Sequence, residues 1–297
     1  MSSPAPIYIP DFRVLIESGI LAMLPVCDRG SARRVNDAMR YALFPGGKRM
    51  RPWFALLGAS IGGYSPDDAL PAACAVEYLH TSSLIFDDLP SMDDADLRRG
   101  RPALHLKFGE DVAILAALAL LNQAYAIFGR SGMLIKEATE CIGLNGMIGG
   151  QAIDLEMQPV LGTRAPFAVR NRKTTALMRL TFTAGAIACG ASPDEVLALA
   201  QCGECLGHAY QIYDDLLDEF SDSGETGKTA HQDARHLRVN YVSEFGAQGG
   251  HDDLSFLIAE AKSSIRVQFG AGPCLTALFE SIDALFSKRE ALGLVTA

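Results

Sequence analysis

No segment of this chain alternates apolar and polar residues well enough for a half-buried strand. Apolar residues recur instead at three- and four-residue spacing. That periodicity restricts the fold to packed helices. It predicts helices over 11–26, 31–44, 66–88, 111–129, 134–157, 166–189 and 193–220. A last amphipathic stripe runs through Leu275, Leu278, Phe279, Ile282, Leu285 and Phe286. Ser31 stands where a cap of the second helix belongs. Gly- or Pro-bearing turns punctuate the pattern at "FPGGKRMRP", "GGYSPDD", "GASPDE" and "SDSGETGKT". No low-complexity linker and no repeat of roughly 20 to 50 residues divides the chain. The reading is therefore all-α, one domain over 1–297, a large helical bundle around a central cavity.

Hydrophobic residues make up 49% of the 297 and charged residues 21%, so a large core can be buried and wholesale disorder is excluded. The net charge of −9 argues against a nucleic-acid partner, which calls for a basic face. Seven cysteines are scattered through apolar segments, which fits reduced thiols in a cytoplasm. Cys202 and Cys205 form a CxxC with no second pair, too few ligands for zinc. The opening "MSSPAPIYIPDF" lacks the basic-then-apolar pattern of a secretory signal. The apolar run 112–121 is shorter than the roughly 20 residues of a membrane span. The expectation is a soluble cytoplasmic protein without stable membrane insertion.

Two acidic clusters, about 127 residues apart, interrupt the apolar background. In "QIYDDLLDE", Gln211, Asp214, Asp215 and Asp218 share one helix face. Like charges so spaced destabilise a helix unless a cation binds there. Carboxylates without nearby His or Cys suit a hard ion such as Mg²⁺, with phosphate oxygens completing its shell. A solvated acidic face is the alternative reading of this run. In "SSLIFDDLPSMDDADLRRGRP", Asp87 and Asp88 end an apolar helix and Pro90 disfavours its continuation. A break there swings Asp93 back towards Asp87. His80, seven residues before Asp87, lies on the same face.

Cations follow. Arg98 and Arg99 come directly after the aspartates, and "GGKRMRP" supplies Lys48, Arg49 and Arg51. "NRKTT" gives Arg172, Lys173 and Thr174, and "TGKT" gives Lys228. Arginine forks and lysine point charges are what diphosphate oxygens need, and no P-loop sequence is present to hold them otherwise.

On these residues the chain resembles the trans-isoprenyl diphosphate synthases (polyprenyl synthetases) of the farnesyl and geranylgeranyl type, nearest to bacterial geranylgeranyl diphosphate synthases. The likeness runs from about 40 to 245, through "GGKRMRP", "DDLPSMDDADLRRGRP", "GGQAIDLE", "KTTAL", "QIYDDLLD" and "GKTAHQD". It implies the all-α isoprenoid synthase bundle, a homodimer, and three Mg²⁺ ions. It further implies that Asp87 and Asp93 bind metal on one wall with support from Asp88. On the facing wall Asp214 binds metal, helped by Asp215 and Asp218. Arg98, Lys173, Thr174, Gln211 and Lys228 hold an allylic diphosphate (dimethylallyl, geranyl or farnesyl). Lys48, Arg51, His80 and Arg99 hold isopentenyl diphosphate. Ser82 and Ser83, five and four positions before Asp87, border the growing tail, and small residues there resemble synthases of C20 rather than C15 products. The chain departs from the family pattern at His231, Arg238 and Asn240, which bear on the allylic side, and at Thr175, from which little effect is expected. A C15 farnesyl synthase is the alternative within the class. A class I terpene cyclase would lack the "LRRGRP" and "GGKRMRP" segments, and a non-catalytic subunit would have lost aspartates.

Overall fold

The computed structural model describes residues 11–27, 30, 32–156, 172–220 and 241–286, with the side chains of 156, 218–220 and 243 outside that description. Ser31, Lys228, His231, Arg238 and Asn240 therefore lie outside the described residues, as does the side chain of Asp218. Twelve helices are described: α1 Arg13–Met23, α2 Ala32–Leu43, α3 Met50–Ile61, α4 Pro66–Asp87, α5 Leu104–Phe108, α6 Glu110–Phe128, α7 Gly132–Ile142, α8 Met147–Glu156, α9 Arg172–Ala188, α10 Pro193–Phe220, α11 Tyr241–Phe269 and α12 Pro273–Leu285. A minimal hairpin, β1 Leu97–Arg98 and β2 Arg101–Pro102, interrupts them between α4 and α5.

The central helix is α4. It starts with Pro66 in its first turn, where the missing N–H costs nothing, and Asp67 and Asp68 there face the positive end of the helix. Beyond that turn it is small and apolar on every side, with Ala69, Ala72, Ala73, Cys74, Ala75 and Val76 all buried. A helix apolar all round has to sit inside a bundle. Here α1, α3, α6 and α9 pack around it, and α9, α10 and α11 continue the bundle side by side. One contiguous apolar core results, from Phe12 to Phe286.

Close backbone approach sets how α9 meets α10. A Cβ on Gly207 of α10 would lie 2.6 Å from the Cα of Thr175 on α9. Only glycine permits that crossing, and it brings the acidic end of α10 opposite the basic start of α9. Thr175 itself keeps its hydroxyl shut away from solvent with no hydrogen-bond partner among the described residues.

Three features depart from the periodicity reading. The helix expected over 134–157 is two, α7 and α8, separated at Gly143 to Gly146. The apolar run 112–121, too short for a membrane span by itself, lies within the expected helix, here the 19-residue α6, which is long and apolar enough to cross a membrane by length and composition. Its inner face, Ala113, Ala116, Ala117 and Leu120, is buried, and α6 packs on α4 and α2. The hairpin was not foreseen, because strands of two residues carry no alternation. Its loop, Arg99 and Gly100, has φ of 55° and 71°, the backbone that a two-residue turn of this twist demands at both positions.

Candidate active site

The first acidic wall is built by the end of α4. After Pro90 the chain turns back, so the Asp93 N–H donates to the Asp87 carbonyl at 2.9 Å and the Ala95 N–H to that of Asp88 at 3.2 Å. Asp93 thereby returns to the neighbourhood of Asp87. Asp87 is 8% exposed, and Lys173 Nζ donates to its Oδ2 at 2.7 Å and to Gln151 Oε1 at 2.6 Å. Burial pushes the Asp87 carboxyl above its ordinary pKa; Lys173 opposes the shift and the Asp93 charge adds to it. Asp88 serves elsewhere. It is buried, and its carboxylate takes Arg98 Nε at 3.0 and 3.1 Å as well as Arg98 Nη2. That pair ties the hairpin to α4 and sets Arg99 at the hairpin tip.

The second wall lies on α10. Asp214 is half-buried, while Asp215, one residue round the helix, is buried. Asp215 accepts from Gln211 Nε2 at 2.9 Å and from the Tyr241 backbone N–H at 2.7 Å. Tyr210, one turn before Asp214, has its phenol pushed up by the Asp214 charge and by burial. Lys173 and Thr174, half-buried at the start of α9, stand on the wall between.

Next to these lies a cluster of positive groups. Arg51 Nε and His80 Nδ1 are closed off from solvent and have no hydrogen-bond partner among the described residues. A Cβ on Gly47 would lie 3.3 Å from Arg99 Nε, which places Arg99 over the turn that carries the exposed Lys48. Burial lowers the Arg51 pKa and the Arg99 charge lowers it further, while Tyr210, Glu77 and Asp214 oppose. Burial also drives His80 well below its ordinary range, with Arg51, Arg99, Arg98 and Lys173 all adding to the shift. Cations that depress one another around unpartnered buried polar atoms form a site electrostatically suited to an anion. The neighbouring Arg49 has a different task. It is 3% exposed and donates to Glu77 Oε1 at 2.6 Å, Glu17 Oε1 at 2.8 Å and the Leu43 carbonyl at 2.6 Å.

The depressed His80 has a consequence for stability. Its folded pKa lies below the unfolded one, so the unfolded chain binds the extra proton first and stability falls as pH drops below about 6.5. His80→Gln is expected to flatten the fall in melting temperature between pH 7 and pH 5; an unchanged slope would show that His80 is not buried neutral.

Among the described residues no three His, Cys, Asp or Glu side chains converge closely enough to hold a metal by themselves. The carboxylates at hand are hard oxygen donors, Asp87 and Asp93 at and after the end of α4 and Asp214 on α10. That set suits a hard divalent ion whose remaining positions are filled by ligand oxygens. Lys173 at present supplies the positive charge beside Asp87.

Sequence reasoning gave no role to Gln151, Tyr210, Glu77 or Tyr241. Tyr210 carried a signal, its four-residue spacing from Asp214. Gln151 and Tyr241 carried none, because they reach the site only through the packing of α8 on α9 and of α11 on α10.

Comparison with known proteins agrees with this geometry. The family model of polyprenyl synthetases matches residues 32–262. A chloroplastic geranylgeranyl pyrophosphate synthase of Catharanthus roseus is 37% identical over 243 residues, covering 78% of this chain and 68% of that one. A geranylgeranyl diphosphate synthase of Cyanophora paradoxa is 33% identical over 269 residues, covering 87% and 89%. Among solved structures, an FPP/GFPP synthase from Zymomonas mobilis superposes with a TM-score of 0.77 at 28% identity, covering 93% of this chain and 99% of that one. A geranyltranstransferase from Thermotoga maritima gives 0.76 at 29%, covering 93% and 97%. With both acidic walls and the cationic cluster in one helical bundle, and with this match over most of its length, the chain belongs to the polyprenyl synthetase family.

Proposed function

We propose that this protein is a prenyltransferase that joins isopentenyl diphosphate head to tail with allylic diphosphates, forming the C20 geranylgeranyl diphosphate and releasing diphosphate. The observation that carries the reading is the pair of unpartnered buried polar atoms, the Arg51 Nε donor and His80 Nδ1, inside a cluster of cations and beside two acidic walls. A diphosphate supplies the acceptors and the negative charge that cluster lacks. Lys48, Arg51, His80 and Arg99 bind isopentenyl diphosphate. Lys173, Thr174 and Gln211 bind the allylic diphosphate, with Arg98 holding the hairpin through Asp88 and Lys228 joining from outside the described residues. Asp87, Asp93 and Asp214 would hold Mg²⁺, three ions by family resemblance, which when bound neutralises the charge that builds on the leaving diphosphate oxygens. The apolar flanks of α4 exclude water from the allylic cation, and after the isopentenyl double bond has attacked it the departing diphosphate accepts the proton that isopentenyl C2 loses as the new double bond forms.

Calorimetry on metal-free protein tests the carrying observation. Isopentenyl diphosphate is expected to bind, and Arg51→Leu to weaken binding by roughly tenfold or more, the worth of one charge-assisted hydrogen bond. Unchanged affinity in the variant would remove Arg51 from the site.

The C20 product is supported by relatives named for it and by small residues upstream of Asp87. Ser83, one turn before Asp87, has its hydroxyl on the His80 carbonyl at 2.9 Å. Ser82 faces α6 instead, 2% exposed and donating to the Ala117 carbonyl at 2.9 Å. Ser83→Phe is expected to shift the main product to C15 while C10-primed turnover survives. Ser82→Phe has to force α6 outward and costs about 1–3 kcal/mol of stability first. Chiefly C20 from Ser83→Phe would move the gate elsewhere. The expectation of a homodimer is supported by the outer face of α6, where Ile114, Leu115 and Leu118 stand exposed. A second copy laid on that stripe would bury it.

A further inference from the structure

Resting on the prenyl-transfer reading, we propose that Asp215 is a positioning residue rather than a metal ligand, clasping α11 onto α10 and aiming Gln211. Both carboxylate oxygens hold donors: Oδ1 takes Gln211 Nε2 at 2.9 Å and Oδ2 takes the Tyr241 N–H at 2.7 Å. The side chain is buried, 5% exposed, whereas Asp214 is half-buried. One residue along a helix is a rotation of about 100°. Neighbouring aspartates at 214 and 215 thus cannot both point the same way, and Asp215 takes the side that faces α11.

What the clasp holds is itself anchored. Tyr241 is 5% exposed, its ring lies 4.5 Å from that of Phe245, and its hydroxyl donates to the Asp253 carboxylate. This one carboxylate therefore ties α10 to the first residue of α11. A buried acceptor holding a backbone N–H cannot be replaced without leaving that donor unsatisfied. Through Gln211 the same carboxylate also orients a side chain that the proposed reaction uses on the allylic diphosphate.

The test compares Asp215→Asn with Asp214→Asn by counting bound Mn²⁺ in the presence of inorganic pyrophosphate and by thermal unfolding without metal. Asp215→Asn is expected to bind as many Mn²⁺ ions as wild type, with affinity within about threefold. It should lose about 2–6 °C in melting temperature, the effect of one or two broken buried hydrogen bonds in a chain of this size. Asp214→Asn is expected to bind fewer ions and to keep its melting temperature. A Mn²⁺ deficit in Asp215→Asn equal to that of Asp214→Asn would overturn the proposal. In wild type, amide hydrogen exchange at Tyr241 is expected to be slow both without and with Mn²⁺ and pyrophosphate. Faster exchange on loading would show the carboxylate leaving the clasp for metal, and would overturn it even if the Asn variant does not fold. Wild type that binds no Mn²⁺ with pyrophosphate would contradict the prenyl-transfer reading instead, and the exchange and melting results would still decide the clasp.

Discussion

Asp87→Ala and Asp214→Ala are each expected to lower turnover by roughly 10²- to 10⁴-fold at saturating Mg²⁺, the equivalent of about 3–5 kcal/mol of lost transition-state stabilisation. The helical circular dichroism of both variants should remain that of wild type. The physical reason differs on the two walls. Asp87 sits buried at the end of α4, so its removal deletes an oxygen ligand and breaks the Lys173 ion pair, leaving Lys173 its hydrogen bond to Gln151. Asp214 is half-buried on α10, and its loss removes the carboxylate next to Asp215, which is itself held to α11 by the Tyr241 N–H. Turnover close to wild type in either variant would remove that aspartate from the reaction.

The second large effect is on stability. Arg49→Met is expected to cost about 3–5 kcal/mol, because it leaves the buried Glu77 carboxylate without its cation. Arg49 joins three elements: Glu17 of α1, the last residue of α2 through the Leu43 carbonyl, and Glu77 of α4. It does so from a left-handed backbone, φ 52°, which a non-glycine residue adopts only when its surroundings hold it there. Urea unfolding reads the change as a lower midpoint at constant slope. An unchanged midpoint would mean that the ion pair contributes nothing net.

Two neighbours in "GGKRMRP" thus part company: Arg49 is structural and Arg51 faces the anion site. Nothing in the spelling of the segment separates them, since both are arginines two residues apart. The start of α3 does so, by turning successive side chains to different faces. The same holds for Asp87 and Asp88 and for Asp214 and Asp215. In each pair the sequence announces carboxylates, and only the helix and what packs on it decide which one is consumed by Arg98 or by Tyr241. The helices themselves were legible where the apolar stretch was long, as in 66–88, 111–129 and 193–220. The period was silent about α3, which is apolar nearly all round and shows no stripe, about α11, where Gly and charged residues dilute it, and about a hairpin whose strands have two residues each. Pro90 was a readable signal, because its ring bars the helix from continuing and makes room for the return of Asp93. Gln151 was not, because nothing local links it to a lysine 22 residues further on.

Incubation of the purified protein with isopentenyl diphosphate and, in turn, dimethylallyl, geranyl and farnesyl diphosphate, with Mg²⁺ or with a chelator, tests the central claim most directly. The expected result is a linear C20 diphosphate as the main product from the primers it accepts, one diphosphate released for each isopentenyl unit added, and no product with the chelator. Failure to consume isopentenyl diphosphate with any primer, or conversion of the allylic diphosphate alone to a hydrocarbon, would contradict it.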